Sequence, residues 1–255
     1  MMKLFQYWDT GSPPDQVAAW IDSVRAVNAD LDHRLFDRDR AGWFIGKHVG
    51  RREQRAFEAC AVPAMQSDYF RLCALKRSGG VYLDADFWCL KPLSDLLATA
   101  PHGLLESRRG QIVNGLMFIR QPADAFVDAC LSLCTLNIER RDIPNVYTAT
   151  GPGVLCAIQA VLRPETAAPL LAALDNDLQR DWLFPELLER ARREIPVTAA
   201  LVRAFDAITL TPKGFLGSWI GKTDPAYKQT SRHWLNWPGS IYVEGAAACE
   251  APGPA

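Results

Sequence analysis

A glycine pair, Gly79-Gly80, constrains the fold of this chain more than any other short feature. Before it, Tyr69, Leu72 and Cys73 recur at the three- and four-residue spacing of an amphipathic helix. Because glycine adopts the left-handed backbone conformation without a steric penalty, the pair can end that helix and turn the chain sharply. The apolar run that follows, Val81-Tyr82-Leu83, predicts a short strand that is covered on both faces of a sheet.

Two acids, Asp84 and Asp86, stand directly after the predicted strand. The ligand crevice of an open α/β sheet lies outside the carboxyl ends of its strands, so this position favours a binding site. Carboxylates that lose contact with water are costly unless a positive group meets them. Mg²⁺ or Mn²⁺ shared with the phosphates of a substrate would be such a group, because these hard cations prefer oxygen ligands.

With Asp68 and Arg71 before the glycines and Lys91-Pro92-Leu93 after the acids, this pattern resembles the glycosyltransferases that carry the DXD sugar-binding region. That family includes fungal α-mannosyltransferases, bacterial capsule and lipopolysaccharide sugar transferases and, more distantly, the clostridial glucosylating toxins. The resemblance spans about 27 residues, so it is far more specific than a bare DXD. It implies an α/β chain with the Rossmann-like GT-A fold, a mostly parallel central sheet flanked by helices, and a retaining reaction.

The resemblance also implies a role for each residue of the motif. Asp86 would ligate the metal directly, and Asp84 would contact either the metal or the ribose of the nucleotide. Asp68 and Arg71 would hold the transferred sugar and complete the catalytic set, while Tyr82 would line the nucleotide site. From their spacing alone, Asp68 and Arg71 could equally be a surface ion pair, which stabilises a helix by only a few tenths of a kcal/mol.

Four further residues are weaker candidates for the nucleotide-sugar site. Trp8 ends the first apolar run and could stack on the base or simply pack at a strand end. Asn114 stands at a place similar to the family's acceptor-side turn. His233 and Trp237 resemble the family's closing motif, in which a histidine contacts the metal or diphosphate and a tryptophan returns to the site. In this chain Asn236 replaces the usual serine of that motif.

The other patterns predict alternating strands and helices. Strands are expected at 4–8 and 33–36, helices at 14–27 and 123–138, and a turn at 37–41. A second pair of strands, 102–105 and 116–119, would be separated by a turn at Asn114-Gly115.

Residues 147–153 resemble the family's TGP segment at the start of a helix. This start would either offer free backbone N–H groups to an anion or be capped by Thr148 or Thr150. Residues 154–194 predict helices without a recognisable motif.

The composition is that of a globular protein, with 49% hydrophobic and 22% charged residues in a chain of 255. We expect one domain over residues 1–245 and a disordered tail rich in Ala, Gly and Pro at 246–255. A net charge of −1 argues against a general nucleic-acid binder. The seven cysteines include no CxxC pair, so we interpret them as reduced core thiols of a cytoplasmic protein. No signal peptide or transmembrane helix is predicted.

The resemblance implies a metal-dependent hexosyltransferase that moves a sugar from a nucleotide-sugar, UDP-hexose ahead of GDP-mannose, to a hydroxyl of a glycan or lipid-linked acceptor. A basic cluster at Lys47, Arg51, Arg52 and Arg55 is either a solvated helix face or a contact with the cytoplasmic face of a membrane. Two alternatives stay open: a haloacid-dehalogenase-type phosphatase with Asp84 as nucleophile, and a non-catalytic sugar-nucleotide-binding module.

Overall fold

The computed structural model describes residues 1–174, 182–222 and 236–244. The strands of this part are β1 (Lys3–Tyr7), β2 (Asp32–Phe36), β3 (Gly80–Leu83), β4 (Phe87–Cys89), β5 (Gly103–Arg108), β6 (Gln111–Ile119), β7 (Ile208–Pro212) and β8 (Ile220–Lys222). Its helices are α1 (Asp15–Val27), α2 (Arg38–His48), α3 (Arg51–Glu58), α4 (Pro63–Ser78), α5 (Leu93–Ala98), α6 (Ala125–Arg140), α7 (Val146–Ala149), α8 (Pro152–Leu162), α9 (Ala167–Ala172), α10 (Phe184–Glu194), α11 (Ala199–Asp206) and α12 (Lys213–Leu216). The expected tail, 246–255, lies outside the described residues.

Six strands form the central sheet in the order β2-β1-β3-β6-β5-β7. Pairs β1–β2, β1–β3 and β5–β7 are parallel, whereas β6 runs antiparallel to both of its neighbours. Parallel strands alternate with helices along the amino-terminal half. The glycine pair and its flanking patterns predict this arrangement. The predicted fold class, a mostly parallel α/β sheet flanked by helices, is therefore confirmed.

The strands of the sheet alternate between two cores. Phe5, Tyr82 and Met117 point to the larger core, where they pack with α4, α6, α8 and α10. Val81 and Phe118 point to the opposite face, where they pack with residues of α1, α5 and α12. Because successive side chains of a strand face opposite sides, the apolar run of β3 serves both cores at once. The sheet is covered on both faces, as a buried parallel strand requires.

The turn between α4 and β3 needs both glycines. Gly79 and Gly80 have φ values of 60° and 102°, a conformation that side chains rarely adopt. A Cβ on Gly79 would lie 2.7 Å from the backbone oxygen of Arg120, and one on Gly80 would lie 2.5 Å from that of Lys3. The pair thus brings the end of α4 against the sheet and sends the chain directly into β3.

Two predicted turns are wrong. Residues 37–41 do not form a turn, because Asp37 caps α2 by accepting a hydrogen bond from the Arg40 backbone N–H, and the helix begins at Arg38. Asn114 and Gly115 lie inside β6, which is longer than its apolar run suggests. The β5–β6 hairpin turns instead at Arg109 and Gly110, which both have positive φ.

A second, two-stranded sheet lies beside the central one. It pairs β4 with β8 in antiparallel register, so that Phe87 stands opposite Lys222 and Trp88 opposite Gly221. Strand β4 starts just after the second acid, and β8 comes from the carboxyl-terminal part of the chain. This sheet therefore brings a carboxyl-terminal segment to the end of β3.

Two other expectations concern cysteines and membrane spans. All six cysteines of the described residues are buried and free, and Cys130 and Cys134 lie in the larger core. No helix in the described ranges combines the length and the apolar character needed to cross a bilayer.

Candidate active site

A cavity of about 270 Å³ opens at the carboxyl ends of β1 and β3. The beginnings of α1, α4 and α8 contribute to its walls, together with the DXD segment and the last residue of β8. The described residues that line it are Tyr7, Trp8, Asp9, Pro14, Pro63, Ala64, Ser67, Asp68, Arg71, Asp84, Ala85, Asp86, Asn114, Val146, Tyr147, Pro152 and Lys222. It combines apolar walls with a few convergent charged groups, as ligand sites in α/β sheets commonly do.

Arg71 is the centre of the polar network on the floor of this cavity. Its side chain is only 4% exposed, and its Nη2 lies 2.9 Å from Asp68 Oδ1 and 3.1 Å from Asp84 Oδ1. The guanidinium also lies 4.5 Å from the ring centre of Tyr82. The surface-pair alternative for Asp68 and Arg71 is therefore wrong, because both side chains are buried.

Every nitrogen of the Arg71 guanidinium takes part in this network. Nη1 donates to the backbone oxygen of Asn114, Nη2 donates to Ser67 Oγ at 3.0 Å, and Nε donates to the Ser67 carbonyl at 3.3 Å. Asp68 in turn accepts from Asn114 Nδ2 at 2.9 Å and from Thr150 Oγ1 at 3.4 Å. Four separate segments of the chain thus fix one buried guanidinium and its carboxylates in place.

Burial and charge oppose each other in this network. Burial raises the pKa of Asp68 to about 6, although Arg71 and the hydrogen bonds from Asn114 and Thr150 act to lower it. Burial likewise raises the pKa of Asp84. Burial alone would lower the pKa of Arg71, but the carboxylates around it outweigh this effect and raise it. The arginine therefore stays charged, and the acids gain from any further cation that reaches them.

Asp86 faces a different cation. Its side chain is 6% exposed, and Oδ1 lies 3.1 Å from Lys222 Nζ. The same Nζ lies 3.9 Å from Asp84 Oδ2, so the lysine ammonium sits between the two acids on the cavity side. The cation that lies between the paired acids therefore comes from a residue far away in sequence.

Gly115 allows the backbone of β6 to pass close to the acids. The Asp84 backbone N–H donates to the Gly115 carbonyl at 2.8 Å, which continues the β3–β6 pairing beyond the end of β3. A Cβ at this position would lie 3.0 Å from Asp84 Oδ2 and 3.0 Å from the ring of Phe87. A glycine here leaves room for the carboxylate and places Asn114 next to Asp68.

The structure brings most of the predicted site residues together. Trp8, Asp68, Arg71, Asp84, Asp86 and Asn114 all line the cavity. Tyr82 is fully buried behind Arg71, and its hydroxyl lies 2.6 Å from Ser67 Oγ, so it supports the floor and does not line the cavity.

Of the two candidates from the closing motif, His233 and Trp237, the described residues include Trp237. Trp237 packs against the larger core, and its Nε1 donates to the Ser240 carbonyl at 3.1 Å. It is not among the described residues that line the cavity. His233 lies outside the described residues.

The sequence missed several residues of the site. Lys222 carried no signal, because an isolated lysine near a Gly gives no hint of its register with β4. Capping by Thr148 or Thr150 was one of two alternatives for the 147–153 segment. The structure shows Asn145 capping α7 and Gly151 in the cap position of α8, while Thr150 contacts Asp68. Ser67, at the start of the motif helix, could have been found from its one-turn spacing to Arg71.

The acids fit a metal that is shared with a substrate. Within ranges 1–174, 182–222 and 236–244, no three His, Cys, Asp or Glu side chains are grouped closely enough to hold a metal alone. Two carboxylates that line a cavity are the donor set that Mg²⁺ or Mn²⁺ uses when phosphate oxygens and waters complete its shell. Asp84 and Asp86 would hold such a cation.

Comparison with known proteins agrees with this geometry. Residues 1–102 match the family model described as the glycosyltransferase sugar-binding region containing the DXD motif. A stretch of 96 residues is 27% identical to an uncharacterized glycosyltransferase of Acanthamoeba polyphaga mimivirus, covering 37% of this chain and 38% of the viral protein. The match thus spans well under half of that relative's length.

The fold has a counterpart among solved structures. The PaToxG glycosyltransferase superposes with a TM-score of 0.51 at 15% identity, over 81% of this chain and 84% of that chain. A likeness at this level of identity supports the GT-A fold, whereas the chemistry is inferred from the residues of the site. Residues 1–102, which include α4, β3 and both acids, thus form a glycosyltransferase sugar-binding region of the DXD type on a GT-A fold, and the predicted resemblance is confirmed.

Proposed function

We propose that this protein is a metal-dependent, retaining glycosyltransferase that moves a hexose from a nucleoside-diphosphate sugar to a hydroxyl of a glycan or glycolipid. UDP-hexose is the favoured donor, ahead of GDP-mannose. The observation that carries the proposal is the buried Arg71, which joins Asp68 on α4 to Asp84 after β3 on the floor of one cavity, next to Asp86. Polysaccharide assembly is the proposed context.

The residues of the cavity suit the parts of such a donor. Asp86 and Asp84 would hold Mn²⁺ or Mg²⁺, which neutralises charge on a nucleoside-diphosphate leaving group when bound. Asp68 and Asn114 present polar groups that suit the sugar hydroxyls. Trp8 offers an aromatic face for the base, a contact worth roughly 1 to 3 kcal/mol in other proteins.

The fixed network explains why the site could act without large rearrangement. Asp68 is held by Arg71, Asn114 and Thr150, so its carboxylate keeps one orientation. Preorganised dipoles and charges stabilise a transition state because they need not reorient during the reaction. An acceptor hydroxyl would attack the anomeric carbon as the bond to the diphosphate breaks. Retention comes from the family resemblance, and NMR of the product's anomeric proton tests it.

The phosphatase alternative would use Asp84 as a nucleophile. Its Oδ1 lies 3.1 Å from Arg71 Nη2 and its Oδ2 lies 3.9 Å from Lys222 Nζ, so both oxygens already face cations. A carboxylate in this setting is better suited to orienting groups than to attacking phosphorus. We therefore favour transfer over phosphate hydrolysis, and release of phosphate from p-nitrophenyl phosphate at rates above that of Asp84→Asn would reverse this order.

The donor is tested by thermal denaturation with UDP-glucose, UDP-galactose and GDP-mannose, with and without Mn²⁺. A ligand that binds only the folded protein raises the free energy of unfolding by RT ln(1 + [L]/Kd), and the melting temperature rises as a consequence. We expect a metal-dependent rise with one nucleotide class. Absence of a rise with all three donors would contradict the proposal.

A variant at the second acid tests catalysis. Asp86→Ala should reduce donor turnover by at least about 100-fold, since it removes a carboxylate from the proposed metal site. Asp95→Ala, an exposed acid in the first turn of α5, is the matched control and should keep full turnover. Normal turnover by Asp86→Ala, measured as release of UDP or GDP, would sink the assignment of this residue.

A cytoplasmic location and a peripheral membrane contact also belong to the proposal. Arg52 of the basic cluster binds Glu139 through two 2.8 Å hydrogen bonds, which leaves Lys47, Arg51 and Arg55 for anionic lipid. Trp43, on α2 with Lys47, is 60% exposed, and an exposed tryptophan beside basic groups suits a lipid interface. Co-sedimentation with phosphatidylserine vesicles, absent with phosphatidylcholine, is the expected result.

A further inference from the structure

The two acids of the cavity meet two cations that differ in how firmly they are held. Arg71 makes contacts with Asp68, Asp84, Ser67 and Asn114, and its side chain is 4% exposed. Lys222 reaches both acids through Nζ alone, and its side chain is 30% exposed. A guanidinium in a fixed set of bonds is part of the structure, whereas an ammonium on a flexible stem can exchange one anion for another.

The position of Lys222 is set by the small sheet. Register between β4 and β8 puts Lys222 opposite Phe87, and its Nζ lies 4.3 Å from the centre of that ring. The packing of Trp88 against Gly221 keeps the two strands close, because a Cβ on Gly221 would lie 2.1 Å from the Trp88 ring. The lysine therefore reaches the acids because of the fold.

The ammonium stands where a shared cation would need access. It lies 3.1 Å from Asp86 Oδ1 and 3.9 Å from Asp84 Oδ2, and these are the two carboxylates proposed to hold the metal. Two cations cannot share these oxygens at such distances without strong mutual repulsion. A metal that arrives alone must therefore displace the lysine, whereas a metal that arrives with a diphosphate supplies a new anion for it.

We propose that Lys222 is an exchangeable counter-ion of the DXD acids. Before the metal and donor bind, it neutralises Asp86 and Asp84, and on their binding its Nζ moves to the diphosphate. The inference rests on the proposed function and assigns a role to a residue outside the DXD motif. This exchange makes binding of the metal and binding of the nucleotide mutually dependent, because the metal frees the ammonium for the diphosphate and the diphosphate draws the ammonium away from the metal's ligands.

The test is Mn²⁺ binding to the donor-free protein, measured by isothermal titration calorimetry. The variant Lys222→Met keeps the apolar stem that packs on Phe87 and removes the charge. It should bind Mn²⁺ about five- to tenfold more tightly than the wild type, as expected for loss of a partly exposed competing ion pair. Lys213→Met, an exposed lysine of α12 that is not among the lining residues, is the control and should leave Mn²⁺ affinity unchanged.

The second measurement is binding of UDP and of GDP at saturating Mn²⁺. Lys222→Met should weaken the nucleotide that binds by about tenfold, so the same substitution shifts metal and nucleotide affinity in opposite directions. Lys222→Arg, which restores a positive charge, should return both affinities toward the wild type. A purely structural role for Lys222 would weaken both ligands together.

Three results would overturn the inference. Equal Mn²⁺ affinity in the wild type and Lys222→Met would contradict competition between Lys222 and the metal, and it would leave the transferase proposal unaffected. Tighter Mn²⁺ binding without any loss of nucleotide affinity would contradict the move of the ammonium to the diphosphate. Absence of Mn²⁺ binding to the donor-free wild type, Lys222→Met and Lys222→Arg alike contradicts the competition, and only a lack of any Mn²⁺ effect on UDP and GDP binding as well contradicts the metal-dependent function.

Discussion

The central sheet and the small sheet each hold one acid of the DXD motif, but by different means. Asp84 follows β3 in the middle of the six-stranded sheet, where Arg71 is packed beneath it and β6 continues the backbone pairing. Asp86 precedes β4 in a two-stranded sheet, where its cation comes from the end of β8. The same chemical pair, a carboxylate with a cation, is thus part of the core in one case and an adjustable contact in the other.

This difference shows why a two-acid motif can combine rigidity with ligand response. The contacts of Arg71 cannot be broken without leaving buried charge unpaired, which is costly inside a protein. The contacts of Lys222 can be exchanged because its side chain is partly exposed to water and ligand. The following variants test that contrast, from the largest expected effect to the smallest.

The largest effect is expected for Arg71→Met. It leaves the buried Asp68 and the partly buried Asp84 without their common counter-ion, so we expect a loss of about 3 to 5 kcal/mol in the free energy of unfolding. Urea denaturation followed by circular dichroism measures this loss. Arg77→Met, an exposed arginine on the same helix, is the control, and similar unfolding energies for the two variants would show that the guanidinium is not a structural centre.

An intermediate effect is expected for Gly221→Ala. The new Cβ would lie 2.1 Å from the Trp88 ring, which also stacks against Trp20 at 5.7 Å, so the ring must move and the β4–β8 pairing should loosen. We expect a loss of about 1 to 3 kcal/mol.

Gly214→Ala, where a Cβ would meet nothing within 4 Å, is the matched control. Because the loosened strand carries Lys222 away from the acids, Gly221→Ala should also tighten Mn²⁺ binding, as Lys222→Met does. Unchanged Mn²⁺ affinity combined with unchanged stability would contradict the role of the small sheet in positioning Lys222 at the acids.

The smallest effect concerns His33, at the edge of the central sheet. Its Nε2 lies 2.8 Å from Gln6 Oε1, and Gln6 Nε2 donates to the Asp84 carbonyl at 3.3 Å. Burial lowers the pKa of His33 from 6.5 to about 4, so the unfolded chain binds the extra proton first as the pH falls.

The stabilising contribution of neutral His33 is therefore complete above pH 6.5 and is lost as the pH falls toward 4. His33→Gln should flatten this part of the stability profile by about 1 kcal/mol or less, because the residue is only partly buried. Urea denaturation at a series of pH values measures the change. Parallel profiles for the wild type and His33→Gln would contradict the shift.

The local part of the site was predictable from sequence, whereas the distant part was not. Glycines with a positive φ, a buried strand and two acids are written in one continuous segment, so their order alone gives α4, β3 and the positions of Asp84 and Asp86. Asn114 was a candidate for the wrong reason, since it lies within β6 and not in a turn. Lys222 depends on the pairing of β4 with β8, and no local pattern encodes a register between two short strands.

The placement of the two cations in the chain has a consequence for how the molecule is assembled. Arg71 and Asp84 are close in sequence and are joined by one tight turn, so their contact closes a short loop. Asp86 and Lys222 are far apart in sequence, and contacts of such long range close slowly because more chain entropy must be lost. We expect the arginine pair to be present early in folding, with the lysine contact among the last to form. The two carboxylates would thus be assembled one after the other, and the strand that completes the cavity would also be the first to detach when the protein opens locally.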